Sequence, residues 1–437
     1  FQDFTPTGGI LIATRFGDTS QIHEVATPMG ARAQLTYYAE PVSGATVRPG
    51  RSGNFVFGKD QGGDEFFQAF MFDRASGRAT QLSESGTRND GLNFSKDGSM
   101  AAWAVTRSGS VRRDIVVANP DNVASRRVVY SADGAFGVAD ISADGKKLLL
   151  GETISVSYSR RGVLDIATGV LTPVTPDLRV SYDGGTFSQD GKSIFILTDE
   201  ASEFGYLVRV ELATGKRTRI SPILNWDVES YDISPDGTKV AYSVNEEGLS
   251  KLYVQPLTAG GRAQLIALPV GIVSGIDWDP ASTRLGFTMS TATAPADAFT
   301  YTLATRALTR WTQSEIGGLN PATFVEPTLI RYPTFDQVNS RPRTIPAFVY
   351  KPRNASPTNR RPVIINIHGG PEAQSRPSFS STPQYWVNEL GAAVIVPNVR
   401  GSTGYGKSFV ELDNGFKRED SVKDIGALLD WIATQPD

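Results

Sequence analysis

The sequence predicts an all-β repeat domain over residues 1–312 followed by an α/β domain over residues 313–437. Three observations predict it. One turn-and-strand pattern recurs seven times, at intervals of about 43 to 47 residues. Its phase ends after Thr312. Beyond that point an apolar run enters His-Gly-Gly-Pro at residues 368–371, and an amphipathic helical stretch follows it.

The repeats begin FTPTGGILIAT at Phe4, VRPGRSGNFVF at Val47, FSKDGSMAAWA at Phe94 and ISADGKKLLLG at Ile141. They continue with FSQDGKSIFIL at Phe187, ISPDGTKVAYS at Ile233 and WDPASTRLGFT at Trp278. Each unit has a turn of the Asp-Gly kind, an apolar strand such as 239–243, a second strand such as 251–255, and a closing strand such as 217–221. Glycine accepts positive φ in these turns, and the aspartate bonds to its own backbone. Four short strands per repeat, alternating apolar and polar, fit propeller blades; a closed ring leaves only short, protected edges. The expectation is a seven-bladed β-propeller over 1–312, and a β-sandwich or barrel is the competing architecture. The units lack the Gly-His and Trp-Asp marks of WD repeats.

Composition bounds the classes of function. The chain has 437 residues, a formal net charge of -3, 43 glycines, 26 prolines and no cysteine. That length favours two cores over one. The charge offers no basic footprint, so nucleic acid is not an expected partner. No apolar run is long enough to span a bilayer. Disulfides and thiolate metal sites are excluded by composition, and no cofactor is implied. The chain starts at Phe1 rather than Met, which fits a removed leader; export to the periplasm or beyond is the expectation.

In the second domain, 314–333 reads as a connector and 344–350 as a strand. Residues 363–367 read as a strand buried on both faces. A helix is expected over 379–390, stopped by Gly391, and a second buried strand over 392–396. A longer helix is expected over 417–434. Ser421 with Asp424 reads as its capping box, and Val422, Ile425, Leu428, Leu429 and Ile432 form one apolar face. Strand, helix, strand, helix argues for a parallel sheet. An α/β-hydrolase domain is expected, incomplete because the sequence reaches Asp437 before any Gly-x-Ser-x-Gly.

The segments TIPAFVYKP (344–352), PVIINIHGGP (362–371) and VPNVRGSTGYG (396–406) resemble the prolyl oligopeptidase family of serine peptidases, with its acylaminoacyl-peptidase and dipeptidyl-peptidase branches the most similar. The helix at 419–431 matches as well. The resemblance implies a propeller followed by a hydrolase domain. It also implies a Ser, Asp and His triad, none of which these residues contain. The remaining C-terminal part of the hydrolase domain is therefore an expected partner, and the chain alone is expected to be inactive. Such proteins often carry an N-terminal segment that returns to the hydrolase domain, and with Phe1 almost at the first repeat that segment is expected to be missing or reduced.

Gly369 and Gly370 lack Cβ, so a backbone N–H there approaches a developing oxyanion closely. By match to the family motif, Gly370 N–H is the expected oxyanion donor, with His368, Gly369 and Pro371 shaping the loop. The competing reading is an ordinary strand-to-loop turn. His368 would need a serine in reach and an acidic orienter to act as a base. Arg400 reads as an anchor for the loop 400–406, with a place at the cleft entrance as the alternative. That loop lacks the frame of a nucleotide-binding one. Glu419, Asp420 and Asp424 read as acids at a helix start. Glu200, Glu203, Glu246 and Glu247 are propeller-loop acids; in dipeptidyl-peptidase relatives such carboxylates hold the substrate amino terminus, no motif chooses among them, and a solvated loop face is the favoured reading for any one pair. The expected activity is hydrolysis of short peptides through an acyl-enzyme, with the propeller limiting access. A non-catalytic propeller binding module and an esterase or isopeptidase are the alternatives.

Overall fold

The computed structural model describes residues 1–50, 53–370 and 372–437. Seven four-stranded antiparallel sheets follow one another over residues 3–34, 43–81, 87–133, 135–173, 182–219, 227–265 and 272–310. Each sequence repeat supplies one sheet. Successive sheets pack face to face through clusters such as Ala104, Ile115, Val138, Leu148 and Leu150, which joins the third sheet to the fourth. This is the arrangement of a β-propeller.

The turns between first and second strands explain the repeat. Asp97, Asp144, Asp190 and Asp236 each accept the backbone N–H two residues ahead, at 2.9 to 3.1 Å. Gly98, Gly145, Gly191 and Gly237 follow with φ of 65 to 68°. A preceding serine hydroxyl also donates to each carboxylate. The Ser95 hydroxyl and the Ser99 amide hold the Asp97 carboxyl down at about 2.

A second set of aspartates joins sheet to sheet. Asp3 accepts Val47 N–H at 2.7 Å, Asp140 accepts Phe187 N–H at 2.7 Å, and Asp232 accepts Trp278 N–H at 3.1 Å. The seventh sheet also meets the first. Phe4, Ile10 and Val25 pack with Ala298 and Trp311, and the Arg284 guanidinium lies 5.1 Å from the centre of the Phe4 ring.

The C-terminal sheet runs, in spatial order, Thr328–Val338, Arg341–Tyr350, Ala393–Pro397, Val363–Ile365. It is mixed rather than wholly parallel. Only Val363–Ile365 and Ala393–Pro397 run parallel; the first two strands form a hairpin whose turn places Asn339 and Ser340 at φ 50° and 62°. The expected connector therefore ends earlier, because Thr328 already begins a strand. Val363–Ile365 is half-buried, not covered on both faces, because it is the edge of the described sheet, and Ile367 is 51% exposed.

The α-helices among the described residues are Ser381–Asn388, the single turn Lys407–Val410 and Asp420–Ala433. The expected capping box does not form. Ser421 lies inside the first turn and donates to Arg418 O, while Asp424 is drawn under the helix to Arg400. Leu428 is fully buried and Ile432 packs with it, but Val422 and Leu429 are exposed. No helix among the described residues is long and apolar enough to cross a membrane.

Candidate active site at the Gly369-Gly370 loop

The edge strand delivers residues 366–370 to a loop beside the propeller. His368 fixes its geometry. The imidazole Nδ1 lies 3.0 Å from Gly369 O, and a carbonyl only accepts, so Nδ1–H donates. The Gly369 carbonyl and the Gly370 N–H share one trans peptide and point in opposite directions. This bond therefore turns the Gly370 N–H away from the imidazole. Gly370 has φ 121°, and a Cβ there would come within 2.6 Å of Glu372 N. A Cβ on Gly369 would meet nothing within 4 Å, so open space lies before it. Among the described residues, neither amide has a hydrogen-bond acceptor. Pro371 lies outside the described residues.

A serine does reach His368: Ser402 Oγ lies 3.1 Å from Nε2. It is not an activated nucleophile. Ser402 is fully buried and spends its one hydrogen on Val399 O at 2.6 Å. The Nδ1 side, where a triad needs a carboxylate, faces Gly369 O instead. Arg418 holds the loop from the other side, donating to Gly370 O at 3.2 Å and lying 3.1 Å from Asp413 Oδ2. Burial pushes the Asp413 carboxyl up, and Arg418 opposes that.

The loop 400–406 supports this arrangement. Arg400 is almost wholly buried, donates to Asp424 and Asp336, and stacks 4.2 Å from the Phe335 ring centre. Asp424 also accepts Thr334 Oγ1 and Arg400 N, so its carboxylate is fully paired. Arg400 anchors the loop, while Thr403, Gly404 and Gly406 of the same loop line a cleft against the propeller. Gly404 and Gly406 hold φ of 85° and 94°, which favours glycine, and a Cβ there would also push on the Gln374 and Glu203 side chains. Asn398 ties the parallel segment down, accepting Ser375 N and donating to Ser375 O.

Charge pairs fasten the two domains. Arg376 donates to Glu229 at 2.9 and 3.1 Å, to Gly248 O and to Ser250. Lys407 pairs with Asp199 at 3.1 Å, Ser408 donates to Glu203 through N and Oγ, and Arg331 pairs with Glu247. Between these contacts lies a cleft of ≈ 280 Å³, lined by Asp199, Glu203, Asp227 and Glu229 and by Thr403, Gly404 and Lys407. Asp227 accepts Gly205 N–H at 2.7 Å and is pushed up to about 6, by burial first and then by its acidic neighbours. Sequence reasoning missed Asp199, Asp227 and Glu229, because no motif marks them and only the fold gathers them. Of the flagged propeller acids, Glu203 and Glu247 serve the domain contact, and Glu200 is held by Tyr182 and Arg217. Among the described residues, no group of three or more His, Asp or Glu is arranged to hold a metal ion.

Comparison with known proteins agrees with this layout. Residues 377–436 match the model of the prolyl oligopeptidase family. Dipeptidyl aminopeptidase BIII of Pseudoxanthomonas mexicana is 24% identical over 400 residues, covering 86% of this chain and 55% of its own. Prolyl oligopeptidase A of Amanita bisporigera is 22% identical over 382 residues, covering 84% of this chain and 46% of its own. The chain thus spans about half the length of these curated relatives. Among solved structures, prolyl oligopeptidase B from Galerina marginata superposes with a TM-score of 0.80 at 15% identity, over 98% of this chain and 65% of that one. A puromycin-hydrolyzing peptidase of Mycobacterium tuberculosis gives 0.76 at 18% identity, over 98% and 73%. By its motifs, its matched C-terminal segment and its architecture, the chain is related to the prolyl oligopeptidase family of serine peptidases.

Proposed function

We propose that residues 1–437 form the propeller and the first part of the catalytic domain of a serine peptidase acting on short peptides. The seven sheets are the seven blades of one ring over residues 1–312, and that ring restricts entry to small or unstructured peptides. A serine outside these residues attacks the scissile carbonyl, an acyl-enzyme forms, and water releases it. Gly370 N–H is one of two donors to the tetrahedral oxyanion. The observation that carries this reading is the Gly370 amide, which has no acceptor among the described residues and is turned away from the imidazole by the His368–Gly369 bond. The remaining strands and helices of the catalytic domain pack against the open sheet edge, where Ile367 is exposed.

The acidic cleft favours a peptidase that needs a free amino terminus. Asp199, Glu203, Asp227 and Glu229 face two cations, Lys407 and Arg376, which leaves negative charge for a substrate ammonium. The dipeptidyl aminopeptidase among the relatives is consistent with this. Labelling the protein expressed from its complete gene with a fluorophosphonate tests the reading. One modified serine is expected. Absence of labelling on folded protein would favour a non-catalytic binding module.

A further inference from the structure

Beside the acidic cleft lies a second hollow of ≈ 450 Å³, on the inner side of the third, fourth and fifth sheets. The two share Asp183. The floor of the hollow is bare backbone. Gly137 pairs in register with Gly151, and Gly151 with Arg161. The two glycines open a lane across the sheet. A Cβ on Gly151 would lie 2.8 Å from Arg161 Nη1. Through this lane Arg161 reaches the next sheet, donating to Gly184 O at 2.8 Å, and it also donates to Arg160 O on its own strand at 2.9 Å. Arg113 enters from the opposite side, donating to Phe136 O and to Asp90, both at 3.0 Å.

Arg161 is poorly neutralised. Its side chain is 7% exposed, and its one carboxylate partner, Asp183, is 3.4 Å away and 77% exposed. Burial pulls its pKa below the usual arginine value, with Asp183 opposing. A buried cation with so loose a partner calls for another anion. Three of its five N–H groups are used in the bonds to Gly184, Arg160 and Asp183, and two remain.

We propose that this hollow is a subsite for a peptide carboxylate, C-terminal or side-chain, held by Arg161 and Arg113. The identity of the ligand rests on the peptidase reading; the anion site itself does not. A peptide would then meet acidic groups and basic groups at adjoining places on the propeller mouth, and peptides with a nearby carboxylate would be preferred over neutral ones.

The competing account makes both arginines inter-sheet fasteners and nothing more. Gly137→Val separates the two. Gly137 is not in a left-handed conformation, and a Cβ there meets nothing within 4 Å, so valine fills the hollow and leaves both arginines in place. Calorimetric titration of the full-length protein with N-acetyl-Ala-Ala, its C-terminal amide, and N-acetyl-glutamic acid α-amide, which keeps its side-chain carboxylate, provides the readout. The account predicts that at least one carboxylate ligand binds, and which one identifies the source. It predicts that the neutral amide binds at least tenfold more weakly, and that Gly137→Val and Arg161→Gln each lose at least tenfold. If Arg161→Gln fails to fold, Gly137→Val decides. Equal binding of acid and amide, unchanged binding to Gly137→Val, or no binding of either acid overturns the proposal. Failure of serine labelling with carboxylate binding intact would count against the peptidase reading alone.

Discussion

Asp227 carries the sharpest consequence at the scale of single residues. Its carboxyl is raised to about 6 by burial and by Glu229, Asp199 and Glu203, so it is ionised at neutral pH and can face an ammonium. Asp227→Asn should raise KM for peptides with a free amino terminus about tenfold, the worth of one charge-assisted hydrogen bond. Hydrolysis of amino-blocked peptides should be unchanged. An equal loss on both classes would place Asp227 in the scaffold instead. The loop residues of this site were readable in the sequence, because paired glycines after an apolar run are a local signal. Asp227 was not, because apart from Glu229 on its own strand its acidic neighbours, Asp199 and Glu203, belong to the preceding sheet. Asp424 misled for the same reason: its spacing from Ser421 suggested a cap, but a buried guanidinium 24 residues earlier claims it.

At the scale of elements, the turns carry the repeat, and their glycines are not equivalent. Gly98 and Gly191 share φ of 66° and 65°. A Cβ on Gly98 would lie 2.2 Å from Pro49 O, whereas one on Gly191 meets nothing within 4 Å. Gly191→Ala should therefore cost about 1–2 kcal/mol, the strain of a left-handed alanine. Gly98→Ala should cost at least twice that, since backbone must also move. Urea unfolding checks the difference; equal costs would mean that the contact with Pro49 is slack. Turn and strand were legible because their determinants lie within five residues. The mixed C-terminal sheet was less so. The hairpin at Asn339 and Ser340 lacks glycine, so the sequence shows no turn signal there, and pairing of Arg341–Tyr350 with Ala393–Pro397 spans some 45 residues.

For the whole molecule, three aspartates on the first strands of the sixth, seventh and first sheets meet across the seam between the last and first sheets. Asp277 hydrogen-bonds to both Asp3 and Asp232. Burial raises Asp3 and Asp232 to about 6 and Asp277 well above its usual value; Lys96 is the nearby cation at Asp232. Folded pKa values above the unfolded ones mean that the native state binds more protons. The stability they contribute is complete below about pH 4 and is lost as pH rises through 6. The turn aspartates, whose carboxyls are held low, are ionised in both states there and do not offset this. Melting temperature should fall by a few degrees between pH 5 and pH 8. Asp277→Asn should flatten that fall and raise the melting temperature at pH 8. A melting temperature that rises across the same interval would contradict the assignment. The seven successive sheets were legible from the sequence period, while this seam was not, because it joins residues more than 270 positions apart.

The central claim is that Gly370 N–H receives the oxyanion of a peptidase reaction. The most direct test is the structure of the full-length protein with a phosphonate bound to its serine. The account predicts a phosphonyl oxygen within about 2.7–3.1 Å of Gly370 N, with the His368–Gly369 contact unchanged. A phosphonyl oxygen turned elsewhere, with the Gly370 amide bonded to protein, would contradict it.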